Sequence, residues 1–264
     1  MRLTQILPAL YAMAGGSDLL QKPVAARLYT SAFFLYKRYV EDPYYRLTQE
    51  HPELFAGGDV IDVGAHIGYT CSVFASAISA GQCVYAIEPE ARNYEHLVGN
   101  IRRRSLEKRV IPVHSAVGCV NGSANLWRNP DHPGDHRIVT QSVRDLSPES
   151  LVTVPMVTLD AFTTERRVEN VAFVKIDVQG YELEVSRGME QVLARNPSLS
   201  VGFEYDPDAL RRLGADPAEL LLFYRDRRFT LFLPSRDGGL RPFDEPAVAD
   251  VIAQRGYADV IAVH

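Results

Sequence analysis

The chain has 264 residues, 46% of them hydrophobic, with 28 basic against 33 acidic side chains and a formal net charge of −5. That apolar share can build the core of one decorated α/β domain, and the acidic balance argues against a general nucleic-acid binder. Three cysteines without metal-ligand spacing point to reduced thiols and a cytoplasmic location.

Residues 1–52 read as a helical extension with breaks at Gly15-Gly16 and Pro23. Tyr29, Phe33, Phe34, Tyr36 and Tyr39 give it an aromatic face. Such a face serves packing or, in the functional alternative, a lid over a ligand or a wall of an acceptor pocket. Its most apolar window, 25–40, carries Arg27, Lys37 and Arg38, which is wrong for a membrane span. Neither a signal peptide nor stable membrane insertion is expected. Residues 53–264 read as the main domain.

Asp59 to Thr70, DVIDVGAHIGYT, is the stretch around which that domain is organised. Val60, Ile61 and Val63 suit a strand buried on both faces, Gly64 and Gly68 make a turn, and Tyr69 opens a helix of small and apolar residues. A strand, a glycine turn and a helix start form a ligand crevice in an open α/β sheet. A dinucleotide fingerprint requires G-x-G-x-x-G, but His66 occupies the second glycine position. With Asp62 before the first glycine, the turn suits S-adenosylmethionine, which presents ammonium and hydroxyl groups rather than a pyrophosphate. Val84 to Glu88 reads as the second strand, ending in an acid placed to accept ribose hydroxyls, with Pro89 fixing the turn.

A helix is expected over 91–104 and a third strand with its exit over 110–118, so that Ser115 and Ala116 fall beside an adenine. Ser123 to Trp127 and Val152 to Leu159 read as two added strands that pair. Between them, residues 127–137 place His132 and His136 in a loop broken by Pro130, Pro133 and Gly134. This loop is a polar surface segment or an acceptor site whose histidines titrate near neutral pH; a metal site is the weakest reading. Val171 to Ile176 is a buried strand leading to Asp177, followed by a helix over 181–193. Leu199 to Tyr205 ends near Glu204, and a divalent ion between Asp177 and Glu204 is disfavoured. Helices over 209–213, 217–227 and 248–254, with strands over 229–233 and 260–263, close the chain as an antiparallel pair.

The motifs VIDVGAHIGYT (60–70), VYAIEPE (84–90), HSAVG (114–118), VTLDAF (157–162) and VKIDVQGYELEV (174–185), together with Glu204, resemble the FkbM family of S-adenosylmethionine-dependent methyltransferases. The resemblance covers most of Asp59 to Tyr205. It implies a Rossmann-like class I fold, α/β, with a seven-stranded, mostly parallel sheet whose last strand is antiparallel. It implies methyl transfer to an oxygen, with S-adenosylhomocysteine as product and a small-molecule or glycan hydroxyl as acceptor. By position it assigns Asp62, Gly64, Ala65 and Gly68 to the methionine end of the cofactor, Glu88 to the ribose, Ser115 and Ala116 to the adenine, and Asp177 to the methyl group. His66, Tyr69, Thr70 and Pro89, within the same two motifs, complete the cofactor set. His66 and Gln179 depart from the asparagine and glutamate frequent there.

An acceptor hydroxyl is a poor nucleophile, so a base should take its proton, and His132, His136 and Asp177 are the candidates. The expected division of work is Asp177 positioning the acceptor and one loop histidine receiving the proton. Two alternatives compete with this reading: a nucleotide-dependent oxidoreductase, and a non-catalytic interaction module on a cofactor fold.

Overall fold

The computed structural model describes residues 23–129, 134–140 and 150–264. His132, one of the candidate bases, lies outside them.

Five strands follow one another in parallel register where the chain is rich in β-branched and apolar residues: β1 (Asp59–Val63), β2 (Val84–Ile87), β3 (Val110–Val113), β8 (Val171–Ile176) and β9 (Ser200–Tyr205). β10 (Thr230–Pro234), β11 (Leu240–Pro242) and β12 (Ala258–Val263) complete an eight-stranded sheet of order 11-10-12-9-8-1-2-3. β12 inserts antiparallel between β9 and β10. This is the expected sheet with its antiparallel last strand, plus one short edge strand, β11, that pairs with β10 alone. Leu240-Arg241-Pro242 carries too little apolar pattern to be read as a strand from sequence.

A smaller sheet of order 4-7-5-6 grows from the exit of β3, with β4 (Ala116–Val117), β5 (Gly122–Trp127), β6 (Arg137–Ile138) and β7 (Leu151–Val157). β5 and β7 pair antiparallel from Gly122↔Met156 to Trp127↔Leu151, as their alternation predicts.

Both faces of the main sheet are covered, which is why its central strands are apolar throughout. Phe173 of β8 points to one face, into a cluster with Tyr44, Phe55 and Phe74. Val174 points to the other, among Leu183, Val192 and Tyr224. Each such buried side chain contributes about 1.5–3 kcal/mol relative to exposure. On the first face lie α2 (Tyr44–Glu50), α3 (Tyr69–Ala77) and α4 (Ala91–Arg103). On the second lie α5 (Leu159–Arg166), α6 (Glu182–Arg187), α7 (Glu190–Arg195), α8 (Pro207–Arg212) and α9 (Pro217–Asp226).

The single helix expected over 181–193 is two short ones, α6 and α7, parted at Gly188-Met189. Gly188 turns its carbonyl to the Asp160 N–H at the start of α5, and a Cβ there would lie 2.0 Å from the Gly118 carbonyl oxygen. The contact with the small sheet breaks the helix. At the front of the chain α1 (Pro23–Tyr36) runs into one π-helical turn, Lys37–Glu41, before Asp42-Pro43 redirects the chain into α2. Among the described residues no helix is long and apolar enough to cross a membrane.

Candidate functional site

The carboxyl ends of β1, β2, β8 and β9 open into a cavity of about 660 Å³, closed above by the α1–π segment and flanked by the small sheet. This is the ligand edge of an open α/β sheet.

The turn after β1 is shaped by close approach. Gly64 has φ +79°, and a Cβ there would fall 1.9 Å from the Asp177 carbonyl oxygen. The N–H groups of Gly64 and Ala65 both donate to the Ile87 carbonyl, tying the turn to β2. His66 adopts φ +49°, a left-handed conformation that histidine and asparagine tolerate better than most residues. Gly64, Ala65, His66, Tyr69 and Thr70 line the cavity. Asp62 and Gly68 are not among the described lining residues. The Asp62 side chain is fully buried beneath the wall, where Oδ2 accepts the Thr70 hydroxyl at 2.6 Å and Oδ1 lies 3.6 Å from Lys175 Nζ. Gly68 packs against Leu97, whose Cδ1 would sit 2.7 Å from an added Cβ. Both brace the turn from behind the described lining.

Glu88 ends β2 and lines the cavity. Its Oε2 accepts the His66 N–H at 2.9 Å and its Oε1 the Glu90 N–H at 2.9 Å. The Asn93 side chain also bonds this carboxyl, and a carboxylate's roughly four acceptor positions still leave room for a ribose hydroxyl. Burial pushes the Glu88 carboxyl up to about 7. Pro89, Ser115 and Ala116 also line the cavity, where Ala116 packs in one apolar cluster with Leu126 and Ile138 of the small sheet. An apolar wall beside a buried carboxyl is a lining that suits a nucleoside.

On the other side, Asp177 lines the cavity with Lys175, Gln179 and Glu204. Lys175 Nζ lies 3.2 Å from Asp177 Oδ2. Burial alone would raise Asp177, but the ammonium groups of Lys175 and Lys37 outweigh it and hold the carboxylate below its usual range. Burial works against the charge of Lys175 in turn, and Asp177 and Asp62 more than restore it. Gln179, at φ +58°, donates through Nε2 to Asp177 Oδ1 and to Glu204 Oε1, each at 3.2 Å. An amide joins two carboxyl groups here, where a glutamate would add a third. Glu204 is driven well above its ordinary value by burial and by repulsion from Asp177, Glu182 and Asp259. Beneath the turn, the buried Glu182 Oε1 accepts the N–H groups of Val178 and Gly180, so this acid braces the loop as well as opening α6.

His136 lines the cavity, but its Nδ1 accepts the Asn129 N–H at 3.1 Å. That bond assigns the neutral ring's proton to Nε2, so the imidazole presents a donor rather than a lone pair. Burial lowers its pKa, and the carboxylates acting on it are Glu90 and Asp135. The donor face it presents favours orienting an acceptor over receiving its proton. His66 is lowered further, to about 3, by burial and by the Lys37 ammonium, which keeps the ring neutral. Among the described residues no group of three or more His, Cys, Asp or Glu side chains is arranged to hold a metal ion. Cys71, Cys83 and Cys119 are free thiols.

Sequence reasoning missed Lys175, Lys37, Asp42, Arg255, Tyr257 and Asp259 as cavity residues. Lys175 had a signal: a lone charge inside the apolar strand VAFVKI must find a partner. The others come from the two ends of the chain, and no local pattern marks them.

The family model described as the methyltransferase FkbM domain matches residues 62–231. The hexuronic acid methyltransferase AglP of Haloferax volcanii is 28% identical over 132 residues, covering 50% of this chain and 50% of that protein. The chain thus spans about half the length of the curated relative it matches. The crystal structure of the methyltransferase FkbM from Methylobacillus flagellatus aligns with a TM-score of 0.51 and 15% identity, over 98% of this chain and 58% of that one, and shares its fold. The O-methyltransferase from Bacillus cereus in complex with SAH aligns at 12% identity and a TM-score of 0.46, over 98% and 90% of the two chains. The matched family region takes in more than half of the sequence: the chain belongs to the FkbM methyltransferase family.

Proposed function

We propose that this protein is an S-adenosylmethionine-dependent O-methyltransferase acting on a hydroxyl of a sugar or sugar-like small molecule. The observation that carries the reading is the shared cavity: Glu88 and the Asp177–Gln179–Glu204 group line one and the same space. When bound, S-adenosylmethionine supplies an activated methyl group and departs as S-adenosylhomocysteine. Glu88 receives the ribose hydroxyls, Pro89, Ser115 and Ala116 face the adenine, and the Gly64-Ala65-His66 turn with Tyr69 and Thr70 holds the methionine end. Asp177, kept ionised by Lys175, orients the acceptor hydroxyl. Asp177, the carboxylate that stays ionised at the site, also takes its proton.

The sugar acceptor draws support from the name of the Haloferax volcanii relative. The α1–π segment acts as a lid, supported by Ala32, Phe33, Tyr36 and Lys37 in the cavity wall, so residues 1–52 form the extension and 53–264 the catalytic domain. A cytoplasmic location accords with the three free thiols.

Isothermal titration with S-adenosylhomocysteine tests the reading. Binding in the micromolar range that is lost in Glu88→Ala supports it; binding of NAD instead would point to the oxidoreductase alternative and end it.

A further inference from the structure

The end of the cavity remote from Glu88 has an unbalanced set of charges. Among its described lining residues the whole cavity has seven carboxyl groups against three lysine or arginine side chains. All three cations are engaged: Lys37 with Glu41 at 2.5 Å, Lys175 with Asp177 at 3.2 Å, and Arg255 with Asp259 at 3.5 Å. Glu88 is bonded to two backbone N–H groups, and Asp206 caps α8 through the N–H groups of Asp208 and Ala209. That leaves Asp42 and Glu204. Asp42 accepts only the Tyr44 N–H, at 2.8 Å, and Glu204 only the Gln179 amide; among the described residues neither has an ion-pair partner.

Strand register sharpens the imbalance. Glu204 on β9 is the direct partner of Asp259 on antiparallel β12, so the two side chains stand next to each other on one face. Like charges in that position destabilise a sheet, yet here both lie at a ligand cavity. A second, independent feature marks the same end. Among the described residues the Tyr69 hydroxyl, shut off from solvent in a side chain only 7% exposed, has no hydrogen-bond partner, and Asp42 and Glu41 are the carboxylates acting on it. A polar group left this way awaits a polar ligand.

Resting on the methyltransferase reading above, we infer that the acceptor is a hydroxy-amine of the amino-sugar class, its ammonium received by Asp42 and Glu204. The cofactor itself carries one net positive charge, which offsets one of these carboxylates; a cationic acceptor offsets the other. A uronate would bring a further negative charge to a cavity whose described cations are already paired. Burial has pushed Asp42 up to about 7 and Glu204 well above its ordinary value, as expected of carboxyl groups missing their cation.

The test is calorimetry on the full chain saturated with S-adenosylhomocysteine, using three matched probes: the methyl glycosides of glucosamine, glucose and glucuronic acid. At pH 7.5 the amine should bind about tenfold or more tightly than the uronate, and Glu204→Gln, like Asp42→Asn, should bring that ratio within about threefold of unity. Binding of the amine no tighter than the uronate, undetectable binding included, overturns the inference. Failure of S-adenosylhomocysteine itself to bind would instead strike the methyltransferase reading, so the two outcomes are separable.

Discussion

Lys175 holds Asp177 in its ionised form from two residues earlier in the same strand exit, with 3.2 Å between Nζ and Oδ2. The same ammonium group lies 3.6 Å from Oδ1 of the fully buried Asp62, an oxygen with no closer donor among the described residues. Lys175→Met would strand two carboxylates. Removing one partner of such a buried group costs about 3–5 kcal/mol, and urea denaturation should show a loss of that size. Adding Asp62→Asn should restore part of it. An unchanged unfolding midpoint in Lys175→Met would contradict the arrangement.

Gly64→Ala should be far more damaging than Gly57→Ala. Both glycines have φ near +80 to +90°, at +79° and +87°, so both substitutions carry the left-handed penalty of about 1–2 kcal/mol. Only at Gly64 does the new Cβ meet backbone, 1.9 Å from the Asp177 carbonyl oxygen; at Gly57 nothing lies within 4 Å. Thermal unfolding of the two variants, with S-adenosylhomocysteine titrated into each, should show lost ligand binding for Gly64→Ala alone. Equal behaviour would mean that the β1 and β8 exits do not meet as described.

His136 should behave as a neutral hydrogen-bond donor. Long-range ¹H–¹⁵N spectra assigned with His136→Gln should show the Nε2–H tautomer, with protonation below the ordinary histidine value because burial disfavours the charge. A titration at or above that value, or an Nδ1–H ring, would return His136 to candidacy as a base.

Stability should fall as pH rises from 4.5 towards 7. Glu182 is pushed from 4.5 up to about 7 by burial, and Glu88 likewise. In that window the unfolded chain has released protons that the folded chain retains, so rising pH favours unfolding. One fully buried carboxyl with that shift contributes about 3 kcal/mol. Glu182→Gln should therefore flatten the decline seen in denaturation midpoints while leaving S-adenosylhomocysteine affinity unchanged. His66 acts with the opposite sign: its pKa falls from 6.5 to about 3 on folding, so its contribution is lost as pH drops below 6.5. A wild-type midpoint that climbs steadily from pH 5 to 8 would refute this balance.

The sheet was legible because its strands are short apolar runs ended by glycine turns, and because the acids at those ends fall at ligand-crevice spacing. Gly64 and Glu88 stand where pattern reasoning placed them. Spacing locates Asp62 at a strand end without saying which face of the pleat it leaves from, and here Lys175 holds it beneath the wall. A pKa near neutrality says nothing about which ring nitrogen is occupied, and at His136 the Asn129 N–H decides it. Asp42, Arg255 and Asp259 were invisible, since each reaches the cavity only once the two ends of the chain meet across the sheet edge.

Tyr44 carries a practical consequence. It is 1% exposed and packs edge-on against Phe74 and Phe173, while Leu47, one turn later, is completely covered. A protein engineer trimming the chain to a minimal catalytic unit at residue 53 would pull both out of the aromatic cluster and leave Phe55, Phe74 and Phe173 facing water. Such a truncation should aggregate on expression, whereas one beginning at Asp42 keeps Tyr44 and Leu47 in place and gives up the cover of the cavity with Phe34, which packs on Tyr69.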